Sequence, residues 1–104
     1  MPISVWGPLA WDWLHFLAIN YVKSPTRNDA YLMYAKIQKF IESLPCEICE
    51  NHAINYIHTN PINLSSNKNF QIWVLNFHNS VNLNKHKPFF TKLQYNKKYR
   101  QNIC

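Results

Sequence analysis

Residues 27–49, RNDAYLMYAKIQKFIESLPCEIC, decide the fold class. Ala30, Met33, Tyr34, Ile37, Phe40, Ile41 and Leu44 recur at the i, i+3, i+4, i+7 spacing of one helix face, while Arg27, Lys36 and Lys39 take the other. The spacing predicts a helix over 27–43, with Thr26 placed to cap its N-terminus after the Ser24-Pro25 break. Pro45 closes it, because the residue before a proline is pushed out of the α region, and leads into the next helix. Cys46 therefore falls at a helix start, with Cys49 one turn further on.

The same periodicity extends outward. Residues 6–22 place Trp6, Leu9, Trp13, Leu17 and Tyr21 on near-helical spacing, with Leu14 and Ala18 flanking that stripe, which predicts a first helix burying an aromatic-rich face. A third helix is expected over 46–58 and a fourth over 67–84, the latter carrying Phe70, Trp73, Val74, Phe77 and Val81 on one face with His78 and Asn82 beside it. Pro88 stops it, and a short fifth helix or ordered tail follows within 89–99. A single Gly and few alternating runs argue against hairpins, and 47% hydrophobic residues in 104 suffice for one core. The expected architecture is all-α, a four-helix bundle with a short C-terminal fifth helix, in one domain spanning 1–104.

Charge and cysteine usage narrow the class. No apolar run is long enough to span a bilayer, and the N-terminus lacks a signal-peptide layout, so the chain reads as soluble and non-secreted. All five acids lie at or before Glu50, and the seven Lys or Arg after it make the C-terminal half attractive to anions. Three cysteines, Cys46, Cys49 and Cys104, are too few and odd in number for a disulfide scaffold, so a Cys-x-x-Cys here points to redox or metal chemistry.

At a helix N-terminus a thiol feels unpaired N–H groups and the positive end of the macrodipole, which makes Cys46 the more acidic of the pair. The i, i+3 spacing also lets the two form a disulfide. Two buried, inert thiols are the bland alternative. Zinc is another, with His52 and His58 on the same helix, although no second Cys-x-x-Cys or His-x-x-x-His pair closes a tetrahedral site and only His15, His78 and His86 are left to contribute. His15 and His78 sit on aromatic-rich helices, where histidine is commonly structural. Asn79 and Asn82, three apart, could hydrogen-bond a heterocycle edge or be simply solvated. Lys85, Lys87, Lys92, Lys97, Lys98 and Arg100 alternate with Phe89, Phe90, Tyr95 and Tyr99, a composition that suits single-stranded nucleic acid, a dinucleotide pyrophosphate, or a solvated tail.

Taken in order, Gly7, Trp11, Leu14-His15, Tyr21, Pro25-Thr26, Pro45-Cys46-x-x-Cys49, Asn60-Pro61, Trp73, His78-Asn79-x-Val81-Asn82 and Lys87-Pro88 resemble the FAD-linked sulfhydryl oxidases of the Erv/ALR type, especially their small viral members. The resemblance spans about residues 6–90. It implies a helical bundle with FAD at its mouth, Cys46 as the interchange cysteine and Cys49 as the flavin-proximal one. It further implies that Trp11, His15, Tyr21, Trp73, His78, Asn79, Asn82 and Lys87 contact FAD, and that no metal takes part.

The activity so implied is disulfide formation in protein substrates, with electrons passing through FAD to oxygen to give hydrogen peroxide. A thiol-bearing substrate or redox carrier is the expected partner, with neither nucleic acid nor membrane, in a homodimer acting in the host cytoplasm during viral assembly. Two departures stand out. Pro8 replaces an Arg common in relatives, with Lys97, Lys98 or Arg100 as candidate substitutes. Where relatives often carry an additional cysteine pair as a shuttle, only Cys104 lies outside the core motif, so the shuttle is expected to be a separate protein or Cys104 to pair with a cysteine beyond residue 104.

Overall fold

The computed structural model describes residues 2–100, with side chains through 99, so the Arg100 side chain and Cys104 lie outside the described residues. Four helices, α1 (Ile3–Ile19), α2 (Arg27–Glu42), α3 (Glu47–Thr59) and α4 (Asn67–Asn84), form the body, and a short α5 (Lys92–Tyr95) runs on into a π-helical turn over Asn96–Arg100. The all-α class and the five-helix order agree with the sequence reading. No described helix is long and apolar enough to cross a membrane.

Local chemistry accounts for the boundaries. Thr26 caps α2 in a reciprocal box with Asp29, its hydroxyl accepting from the Asp29 N–H at 3.1 Å while the Asp29 carboxylate accepts from the Thr26 N–H at 2.9 Å. The Ser66 hydroxyl accepts from the Asn69 N–H to cap α4. At the other end of α4, the Lys87 N–H reaches the Asn82 carbonyl and the His86 N–H the Leu83 carbonyl, with His86 at φ 56°. This left-handed close, usually made by glycine, ends the helix before Pro88 is reached.

The core joins Leu14 and Ala18 of α1, Ile37 and Ile41 of α2, Ala53 of α3, and Phe70, Trp73, Val74 and Phe77 of α4. On α1 the inward face differs from the expected stripe. Leu14, His15 and Ala18 are buried, whereas Leu9 is 64% exposed and Trp13, stacked on Phe40 at 4.5 Å, is 40% exposed. An apolar helix with hydrophobic residues on every side offers periodicity more than one solution, and packing against α4 selects the face that carries the histidine. α1 also begins at Ile3, which places Pro8 inside the helix. The helix ends at Ile19, before the Ser24-Pro25 break.

A polar line ties the lower end of the bundle together. The Asn67 amide donates to the Ala18 and Ile19 carbonyls at the end of α1, and the Tyr95 hydroxyl donates to Gln71 Oε1 at 2.6 Å. Gln71 in turn donates to Asn67 Oδ1, so α5 is linked through α4 to the last turn of α1.

Candidate functional site

Cys46 is the N-cap of α3, and its Sγ accepts the Cys49 N–H at 3.2 Å. A hydrogen bond with the Cys49 thiol, then that bond from the Cys49 N–H, hold the Cys46 thiol below its ordinary range, with the charge of Lys85 adding the least. Burial pushes the Cys49 thiol up, followed by its bond to Cys46. The pair is thus polarised: an acidic outer thiol and a reluctant inner one. Both are free thiols in this structure. Ile48 between them is 82% exposed, so the Cys46 edge is open to a molecule as large as a protein.

Cys49 faces inward onto a cavity of about 220 Å³ between α1, α2, α3 and α4. Trp6 and Trp11 wall it from α1, Phe77 and Val81 from α4, and His52 from one turn beyond Cys49. The His52 ring is held by two α4 side chains: Nδ1 by the Asn84 amide at 2.9 Å and Nε2 by the Ser80 hydroxyl at 3.4 Å. Walls of this kind take a flat heteroaromatic ring and place one edge against the Cys49 sulfur.

Above the cavity lies an aromatic and histidine cluster. The His78 ring stacks on Trp11 at 4.0 Å and 9°, and its Nδ1 bonds His15 Nε2 at 2.9 Å. Phe90, Tyr95 and Tyr99 close over His15, the last at 4.4 Å. Burial pushes His15 down to about 3 and His78 down to about 4, with Lys98 adding to both, so both rings are neutral near pH 7. His15 Nδ1 is buried and has no hydrogen-bond partner. An orphaned polar atom there is a position from which a ligand could be held.

The expected site residues are distributed unevenly around this centre. Trp11, Cys49, His15 and His78 come together at it. Asn79 is occupied elsewhere: its Nδ2 donates to the Phe90 carbonyl at 3.0 Å and its Oδ1 accepts the Phe90 N–H at 2.6 Å. Asn82 is half-buried and its carbonyl serves the α4 close, while Lys87 is exposed just beyond. Tyr21 donates to the Leu64 carbonyl and Trp73 to the Asn60 carbonyl, and neither lines the cavity. Lys98 pairs with Asp12 at 3.4 Å, and Tyr99 donates to the same carboxylate at 2.6 Å.

Sequence reading considers His52 only as a metal ligand and overlooks Trp6, Ser80, Asn84 and Lys85 as wall and support. Spacing offers the signal, since Cys49 and His52 are i, i+3 on α3 and Phe77, Val81, Asn84 and Lys85 are i, i+4, i+7, i+8 on α4. Among the described residues no three His, Cys, Asp or Glu side chains are grouped to hold a metal ion.

Comparison with known proteins gives this geometry relatives. The family model described as "Erv1 / Alr family" matches residues 8–100. An African swine fever virus protein named FAD-linked sulfhydryl oxidase (isolate Pig/Kenya/KEN-50/1950) is 39% identical over 98 residues, covering 94% of this chain and 82% of its own. The Arabidopsis thaliana FAD-linked sulfhydryl oxidase ERV1 is 30% identical over 84 residues, covering 81% of this chain and 44% of that longer protein. The crystal structure of the yeast Erv1 core superposes with a TM-score of 0.90 at 25% identity, over 98% of this chain and 86% of that one. The FAD binding domain of Erv1 from Saccharomyces cerevisiae gives 0.88 at 27%, over 95% and 94%. The family match runs over residues 8–100, the viral and plant sequences and the yeast structures all point the same way, and the chain belongs to the Erv1/Alr family of FAD-linked sulfhydryl oxidases.

Proposed function

We propose that this FAD-linked oxidase forms disulfides in protein substrates through the Cys46–Cys49 pair and delivers the electrons to oxygen, giving hydrogen peroxide. The observation that carries this is the polarity of the pair, with Cys46 at the open edge and Cys49 on the wall of an aromatic cavity. A substrate thiolate attacks Cys46 Sγ of the Cys46–Cys49 disulfide, and Cys49 leaves as thiolate. A second substrate thiolate then attacks the substrate sulfur of the mixed disulfide, releasing oxidised product and Cys46. When bound, FAD supplies two-electron acceptance from the dithiol and the route to oxygen.

The residues present fit that cofactor. A cavity of about 220 Å³ takes one ring system, not a whole dinucleotide. The remainder of FAD would then lie over the Trp11, His15 and His78 cluster, with the exposed Lys87 available to its pyrophosphate and Lys98 able to reach it by leaving its pair with Asp12. In this reading Trp11 and His78 orient the cofactor, His15 offers its unpartnered Nδ1, Asn82 adds an amide, and Asn79 acts by holding the segment that closes the site. Tyr21 and Trp73 support the fold around it.

The reading extends to biology. Several relatives are viral proteins, and the proposed role is disulfide formation in the host cytoplasm during virion assembly, which localisation of the protein in infected cells would test. Exposed Leu9 and Phe16 on the outer face of α1 suit pairing into a homodimer, for which the molar mass in solution is the check.

The decisive experiment is an absorbance spectrum of the purified protein, with and without dithiothreitol under air. A flavin band that bleaches and recovers as oxygen is consumed is expected. Cys46→Ala and Cys49→Ala should each abolish turnover with FAD retained, and full activity in either would overturn the mechanism.

A further inference from the structure

Among the described residues lining the Cys49 cavity, Lys85 is the one that carries a full charge. It is the C-cap of α4, where its N–H bonds the Val81 and Asn82 carbonyls at 3.1 and 3.2 Å, so its backbone is fixed relative to the wall it shares with Phe77 and Val81. We propose that Lys85 is a positioning residue of the thiol exchange, its ammonium favouring the negative charge that Cys49 acquires when the Cys46–Cys49 bond opens. The inference rests on the redox reading of that pair. In the step concerned, the substrate sulfur bonds to Cys46 Sγ, the Cys46–Cys49 bond breaks, and its electron pair stays on Cys49 as thiolate; no further reactant is required.

The surroundings explain why a cation is needed there. The walls from α1 and α2 are apolar, with Trp6, Trp11 and Phe40 among them, and stabilise no charge. On α3, Glu47 and Glu50 lie in the first turn with the cysteines and oppose a thiolate, while His52 has both ring nitrogens engaged by Ser80 and Asn84. Asp12 is taken up by Lys98 and Tyr99. Lys85 is itself exposed, at the rim of the cavity it helps line, and His86 and Lys87 follow it, also exposed. The positive end of α3 serves Cys46 at its N-cap, which leaves the inner sulfur dependent on another source of positive charge. The charge of Lys85 lowers both thiols and offsets part of the burial that raises Cys49.

The test is the alkylation rate of each cysteine against pH, followed by peptide mass spectrometry on the FAD-loaded protein, reduced and kept free of oxygen. Lys85→Gln should move the Cys49 midpoint up and slow its alkylation roughly threefold below that midpoint. Lys85→Arg should restore the profile. Lys68→Gln removes the same charge about 25 Å away, at the other end of α4, and should leave it unmoved. A Lys85→Gln profile superimposable on the wild type would overturn the proposal, and so would an equal shift from Lys68→Gln. Alkylation needs no turnover, so loss of thiol oxidation by the wild type would instead count against the redox reading itself.

Discussion

Removing the Asn79 amide should free the C-terminal segment while leaving the bundle folded. In the structure Asn79 clamps Phe90 by two hydrogen bonds, at 3.0 and 2.6 Å, and Phe90 brings Tyr95 and Tyr99 over His15. Each bond contributes about 1 kcal/mol net, and the partly buried Phe90 peptide groups lose their partner, so Asn79→Ala should weaken local closure by about 2 kcal/mol. That corresponds to a roughly 30-fold larger opening constant. Native-state hydrogen exchange reads it directly. Amides of 90–99 should exchange about 30-fold faster, while those of the α4 core around Phe70 and Val74 hold their rates. FAD should dissociate faster because its cover is loosened. Unchanged protection over 90–99 together with weakened FAD retention would refute the clamp, and would assign Asn79 the direct cofactor contact that the family resemblance implies.

Other consequences follow from burial and backbone geometry. His15 and His78 are depressed to about 3 and about 4 from 6.5, so the unfolded chain protonates first as pH falls. Their contribution is complete above about 6.5 and is lost toward 4 and then 3, at up to about 1.4 kcal/mol per pH unit for each histidine, readable from urea unfolding across that window. A flat profile there would contradict their neutral burial. Phe70→Ala empties a fully buried site and should cost about 3–5 kcal/mol in denaturant unfolding. His86→Gly relieves a φ of 56° and should raise stability by about 1 kcal/mol. Added FAD should raise the melting temperature of cofactor-depleted protein, because it binds the folded state alone.

The parts of this molecule legible from sequence are those determined within one helix. α2 shows its face because apolar residues recur on an otherwise charged helix, and Thr26 and Asp29 mark its start within four residues. The cysteine pair is legible for the same reason, since a single turn of α3 sets both its spacing and the acidity of Cys46. α1 hides its inward face because apolar residues surround it, and the buried choice includes His15, whose ring is polar by type and core by position.

The cavity required information that no single segment contains. Cys49 touches it from α3, Trp11 from α1, Phe40 from α2 and Lys85 from α4, and nothing in any one stretch states that these helices converge. Asn79 illustrates the remaining difficulty. Its residue type announces a donor and an acceptor, but which partner takes them depends on how far the chain travels after Pro88 before turning back, and here the partner is the peptide of Phe90. Family resemblance supplies the residues that gather at a site. The assignment of each hydrogen bond within it, and hence whether a residue holds the cofactor or the structure around it, comes only from the packed chain.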